Sequence, residues 1–304
     1  MSPVPSSSES SRGVAFTVAA FICWGLFPLY WKPLHDVPAL QILCHRIAWS
    51  AVFVAIILTV RNHWGWLPAA VREPRKLAIF GLSSLLLSLN WLIYIWAVNA
   101  GHVVEGSLGY FINPLFNVLL GRIFLSERLS GLQNTALLLA AAGVAWITYS
   151  AGALPWIALS LAATFGLYGL LRKKAPLASL EGLALETFLM TPLAVLALLW
   201  FEWRGQGAFG HGSAAQTGLL MGAGVVTAVP LLLFAAGARR LKLATVGVIQ
   251  YIGPSIQLAL GVLLFGEAFD SGRALGFGLI WAALLLYSAA GLLQLWQGRR
   301  AAAA

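Results

Sequence analysis

Two stretches put ionisable side chains inside runs that are otherwise apolar. Cys44-His45-Arg46 lies in QILCHRIAWSAVFVAIILTV (41–60), and Glu186 lies in LETFLMTPLAVLALLW (185–200). A charge near the middle of a bilayer-spanning helix costs at least ~2.5 kcal/mol, so such residues are functional candidates by default. Arg46 could clamp a carboxylate or phosphate with its planar fork of donors. Glu186 or His45 could exchange a proton. The competing reading is an ion pair or hydrogen-bond network that only orders a helix bundle.

A second set of polar residues recurs at helical spacing. At about 100° per residue, His102, Glu105, Gly106, Gly109, Asn113 and Asn117 fall within an arc of about 120° on one helix. Gln250 and Gln257, nearly two turns apart, share a face of another, with Tyr251 beside the first. Pro114 and Pro254 interrupt both helices and free backbone carbonyls. Polar groups in lipid face a bundle interior or a wet cavity, which makes these stripes cavity walls bent at the prolines. The alternative is that amides and glycines glue helices together. Asn90, Trp91 and Tyr94 in LNWLIYIW offer stacking area and hydrogen bonds to an organic ligand of mixed character, or serve packing between helices. Glu127 and Glu267, at the ends of apolar runs, read as boundary residues.

The elements that must position these residues follow from composition. The 304 residues are 60% hydrophobic and only 10% charged, with a mean hydropathy of +0.85; soluble domains carry about 25% charged residues. With ~20 apolar residues needed per crossing, the chain divides into ten expected spans, at 13–31, 40–60, 77–98, 102–123, 131–150, 153–171, 181–200, 216–236, 243–265 and 273–295. The fold class expected is all-α integral membrane. Residues 1–12, MSPVPSSSESSR, read as a floppy tail before an uncleaved first span, and 296–304 as a second tail ending in AAAA. Both cysteines, Cys23 and Cys44, fall inside spans, which leaves no disulfide framework.

The net charge of +9 would suit a nucleic-acid partner if it were concentrated, but its distribution is topological. With a cytoplasmic N-terminus, fifteen of the 19 Lys and Arg fall on the cytoplasmic side and three, Lys32, Arg204 and Arg273, on the other; Arg46 lies within a span. Such a bias is the positive-inside rule. It places both termini in the cytoplasm and leaves the lipid bilayer, not nucleic acid, as the partner.

Shifted by 140 residues without gaps, the chain aligns Ile112, Pro114, Leu120, Gly121 and Glu127 with Ile252, Pro254, Leu260, Gly261 and Glu267. Leu and Ile coincide easily here; Pro and Glu do not, with 13 Pro and ten acidic residues in all. The same shift sets Arg46 opposite Glu186 and Asn117 opposite Gln257. Two five-span repeats result, at 13–150 and 153–295, and the odd number inverts the second relative to the first. Inverted repeats with a midplane site are a recurring basis of secondary transporters.

No nucleophile elbow, zinc-binding helix, P-loop or dinucleotide fingerprint is present, and no two of the five histidines share metal-ligand spacing on one helix. No cofactor, metal or catalytic residue is expected, and a gradient is the expected driving force, with protons a candidate coupling ion.

The stretches LNWLIYIWAVNAGHVVEGSLGYFINPLFNVLLG (89–121), RRLKLATVGVIQYIGPSIQLALGVLLFGE (239–267) and LCHRIAWS (43–50) resemble the RarD branch of the EamA-type drug/metabolite transporter superfamily. The resemblance runs from about residue 13 to 295. It implies a bacterial inner-membrane permease, two inverted five-helix repeats around a central cavity, and export of small organic metabolites or drugs. Arg46 favours an anionic or zwitterionic, amino-acid-like solute. The alternative from a different class is a non-transporting membrane protein, an intramembrane enzyme or a sensory or assembly subunit, whose polar faces would be dry.

Overall fold

A computed structural model describes residues 7–124, 130–173, 176–238, 240–241, 246 and 249–303. Among these residues there is no strand. The helices are α1 (Ser7–Gly25), α2 (Phe27–Trp31, continued by a 3-10 turn Lys32–Leu34), α3 (Ala39–Val60), α4 (Leu67–Val71), α5 (Pro74–Asn99), α6 (Val103–Phe124), α7 (Gly131–Ala151), α8 (Trp156–Lys173), α9 (Ser179–Trp203), α10 (Ala214–Ala238), α11 (Ile252–Ala259, continued by a π-helical turn Leu260–Leu264) and α12 (Ser271–Ala303).

Seven of them, α3, α5, α6, α7, α9, α10 and α12, are long and apolar enough to cross a bilayer, and α1 with α2 makes an eighth, bent by 42°. The spans expected at 153–171 and 243–265 correspond to shorter apolar helices, Trp156–Arg172 and Ile252–Leu264. Pro155 precedes the first helical residue of α8. The turn at Gln250–Tyr251 precedes α11, whose Pro254 sits in the first turn, where a missing N–H costs nothing. Residues 243–245 and 247–248 of that span, and Glu127, lie outside the described residues.

Helix also extends into both expected tails, from Ser7 and to Ala303. Once a span is nucleated, each added residue gains a hydrogen bond for one residue fixed, and the terminal alanines are the best helix formers.

The bend between α1 and α2 has a specific origin. Pro28 has no N–H for the carbonyl of Trp24, four residues before it. Gln257 Nε2 of α11 donates to that carbonyl instead, at 3.0 Å.

The most extensive packing joins α7 with α12 and α6 with α8, followed by α10 with α3 and α1, α3 with α9, and α5 with α8. At the α7–α12 crossing a Cβ on Gly143 would lie 2.9 Å from the Gly276 carbonyl, so only glycine allows that approach. Side chains such as Leu138, Leu196 and Leu285 are exposed on the outside, as a bilayer-facing surface requires. The largest buried cluster, around Trp31, Ile42, Ile47, Ile95, Leu161 and Leu220, ties α2, α3, α5, α8 and α10 together.

Candidate functional site

Arg46 stands in this cluster on α3, 3% exposed. Three helices converge on it. The bend at Leu26 brings Phe27 and Trp31 of α2 to 5.6 and 5.3 Å from the guanidinium carbon, and α5 brings the Trp91 ring to 3.8 Å. α10 contributes Thr227, whose Oγ1 accepts from Arg46 Nε at 2.8 Å. This approach depends on Gly224, where a Cβ would overlap the Trp49 backbone. Desolvated cation–π contacts of this kind are worth about 2 kcal/mol or more. Tyr94 and Tyr110, with rings 5.5 Å apart, lie within electrostatic range of Arg46. Arg46 Nη1, Trp31 Nε1, Ser50 Oγ and the Tyr94 hydroxyl are buried with no hydrogen-bond partner among the described residues. Such groups are uncommon, because an unsatisfied buried donor costs about 1–3 kcal/mol.

Glu186 on α9, 2% exposed, does not pair with Arg46. Its Oε1 accepts from Ser83 Oγ at 2.6 Å, its Oε2 accepts from the Tyr168 hydroxyl at 3.4 Å, and Arg172 Nη1 lies 3.8 Å away. Arg172 extends over Phe80, 5.3 Å from the ring centroid, in space that a side chain at Gly182 would occupy. Beside the carboxylate a narrow cavity, lined by Ile47, Ser84, Ser88, Trp91, Glu186 and Thr187 among others, holds about 10 Å³ of free space, room for roughly one water. Trp91 therefore touches both centres: it stacks on Arg46 and walls the Glu186 cavity.

Of the other expected site residues, Tyr94 lies within electrostatic range of Arg46, while His45, one residue from Arg46, is buried and stacks on Phe209 at 5.2 Å. Asn90 packs helices: its Nδ2 donates to Leu161 O and Thr164 Oγ1 of α8. The stripe on α6, expected as a cavity wall, is largely a packing face. Glu105 accepts from Ile157 N at the start of α8 (3.0 Å). A Cβ at Gly109 would lie 2.8 Å from the Ala158 carbonyl, and Asn117 Oδ1 would be 3.2 Å from one at Gly166. The physical reason is that small residues permit close helix approach in lipid, a use that the same spacing serves equally well. His102 lies exposed just before α6, against Trp96. Asn113 is buried with Oδ1 unpartnered among the described residues.

On the second stripe, Gln257 is buried and holds the Trp24 carbonyl, half-buried Gln250 sits at the break, and half-buried Tyr251 stacks on Phe111 at 6.3 Å. Pro114 is inside α6, which continues through it; Pro254 opens a helix rather than bending one. Glu267 caps α6, accepting from Val103 N and Val104 N at 2.7 and 2.8 Å.

Sequence reasoning missed Phe27, Trp31, Tyr110, Thr227, Ser83, Tyr168 and Arg172. Ser83, Ser84 and Ser88 were legible as polar residues in an apolar run. Arg172, one of the fifteen cytoplasmic-side cations, reads in the sequence as a loop charge, since nothing local says that its side chain folds back to a carboxylate. Among the described residues no group of three or more His, Cys, Asp or Glu could hold a metal ion.

The sequence profile of the EamA-like transporter family matches residues 11–149 and, a second time, 154–289. The chain is 50% identical over 285 residues to the uncharacterized transporter YojE of Bacillus subtilis, covering 92% of this chain and 95% of that protein. It is 40% identical over 281 residues to protein RarD of Escherichia coli, covering 92% and 95%. A crystal structure of a protein with 17% identity superposes with a TM-score of 0.60 over 91% of this chain and 97% of that one, a likeness of fold.

Proposed function

The chain belongs to the EamA-like transporter family, in its RarD branch, and from that premise we propose that it is a secondary transporter exporting a small organic anion or zwitterion across the bacterial inner membrane. It works by alternating access between two inverted five-helix repeats, 13–150 and 153–295, with ten crossings and both termini cytoplasmic. Three observations support this reading. The family profile matches twice in succession. One prominent packing pair recurs when each helix is exchanged for its counterpart in the other half: α5 with α8 answers α10 with α1. The cationic and anionic centres, Arg46 and Glu186, are related by the 140-residue shift that relates the repeats.

The observation that carries the transport site is a buried guanidinium in an aromatic box with no carboxylate partner among the described residues, separated by one indole from a buried carboxylate that has its own cation. Arg46 binds the solute, and Trp91 reports its presence to Glu186, whose carboxyl, with Tyr168 and Ser83, exchanges the coupling proton. Labelled-solute counterflow in proteoliposomes, with a trapped pH dye, tests both parts. Arg46→Ala should abolish exchange in a protein that remains monodisperse in detergent. Glu186→Gln should keep exchange but lose solute-driven proton movement. Wild-type exchange in Arg46→Ala would overturn the assignment of the site.

A further inference from the structure

The charge balance around Arg46 narrows the solute further, resting on the transport-site reading above. We infer that the ligand is an organic monocarboxylate with an aromatic or apolar body and no ammonium group, its carboxylate held by Arg46 and its body by the surrounding rings.

The first support is the set of unpartnered polar groups. Arg46 Nη1, Trp31 Nε1 and the Tyr94 hydroxyl are all buried donors without acceptors among the described residues. A carboxylate supplies up to four lone-pair sites and accepts from a guanidinium in plane.

The second is that, among the described residues, no carboxylate is left free to face a cation. Of the ten acidic residues, eight have described side chains, and each is engaged elsewhere. Glu186 is held by Ser83, Tyr168 and Arg172, and Glu105 and Glu267 accept from backbone at helix starts. Asp36, Glu73, Glu181, Glu202 and Asp270 pair with His35, Lys76, His63, His211 and the Arg273 backbone N–H. In the other half, the 140-residue shift sets Lys32 opposite Arg172 and Arg46 opposite Glu186, so two cations stand where the second half has an ion pair.

Charge arithmetic in a low-dielectric box then decides among ligands. A monocarboxylate on Arg46 sums to zero. A zwitterionic amino acid leaves one buried positive charge uncompensated, an amine leaves two, and a dianion leaves one negative. Isolated buried charges are strongly penalised. The walls, Phe27, Trp31 and Trp91, with Tyr94 and Tyr110 within electrostatic range, favour a flat or apolar body over a hydrated one.

Three compounds sharing one skeleton test this on the purified wild-type protein: 3-phenylpropionate, phenylalanine and phenethylamine, with binding followed by quenching of tryptophan fluorescence. The carboxylate is expected to bind at least tenfold more tightly than phenylalanine, with phenethylamine weakest. Arg46→Gln should lose at least tenfold in affinity for the carboxylate and gain none for the amine. Because Arg46→Gln could fail to fold, the wild-type charge series stands alone as a test. Phenylalanine binding as tightly as 3-phenylpropionate, or no binding of the carboxylate, overturns the inference. Counterflow separates the underlying reading: exchange of phenylalanine but not of the carboxylate would sink the ligand class and leave the transporter standing, whereas a carboxylate that binds and never crosses would sink transport and leave the site.

Discussion

Arg46 and Glu186 show two ways of keeping a charge in a bundle. Glu186 has a cation and two hydroxyls around it, so removing Arg172 should do more harm than removing both charges. Arg172→Met alone is expected to cost about 3–5 kcal/mol, as breaking one side of a buried pair does. Arg172→Met with Glu186→Gln should regain most of that, read as the thermal unfolding midpoint in detergent; a double variant no more stable than the single one would mean that the ion pair does not hold Glu186. Arg46 instead rests on indole faces and one hydroxyl. Arg46→Lys keeps the charge but loses the planar stack. Exchange in counterflow is expected to fall at least tenfold while the protein still folds, and an unimpaired lysine variant would show that charge alone suffices.

Between helices, polar side chains work mainly as caps and clasps that cross from one half to the other. Glu267 of the second half satisfies the first two N–H groups of α6, and Glu105 of α6 satisfies Ile157 N at the start of α8. An acidic group at a helix start both accepts hydrogen bonds and offsets the helix dipole. Glu267→Ala should therefore cost about 1–2 kcal/mol and lower the unfolding midpoint, with Glu267→Gln intermediate; no shift in either would remove the cap from the account. Close approach is the other device. Gly224→Val would press a side chain into the Trp49 backbone, separating α10 from α3 and moving Thr227 from Arg46. It should lose exchange together with stability.

For the whole molecule, the ten crossings proposed above, being even in number, would put both termini on one side. Reporter fusions after Arg12 and after Arg300 should both read cytoplasmic, and opposite readings would break the count. Accessibility separates a transporter from a packed, dry bundle. The chain has only Cys23 and Cys44, so two substitutions yield a cysteine-free background. A single cysteine at Ser84 or Ser88, beside the Glu186 cavity, should react with a small charged thiol reagent from one side of the membrane and be protected by solute. Inertness at both positions would favour a structural role for the cavity.

The membrane class, the repeat spacing and the candidacy of Arg46, Trp91, Tyr94 and Glu186 were legible in the sequence, because hydropathy, residue counts and an unexpected charge need no neighbours to be read. Which charges meet was not. The 140-residue shift sets Arg46 opposite Glu186, yet it is the packing of α8 and α9 on α5 that brings Arg172 to the carboxylate. The stripe on α6 illustrates the same limit: Gly and Asn at helical spacing suit a wet wall and a tight crossing alike, and the approach of α8 decided for the crossing at Gly109 and Asn117. The bend at Pro28 was likewise invisible as a functional feature, although it carries Phe27 and Trp31 to Arg46. A sequence specifies what each side chain can do and roughly how deep in the bilayer it lies; which partner satisfies it is set by contacts between residues far apart in the chain.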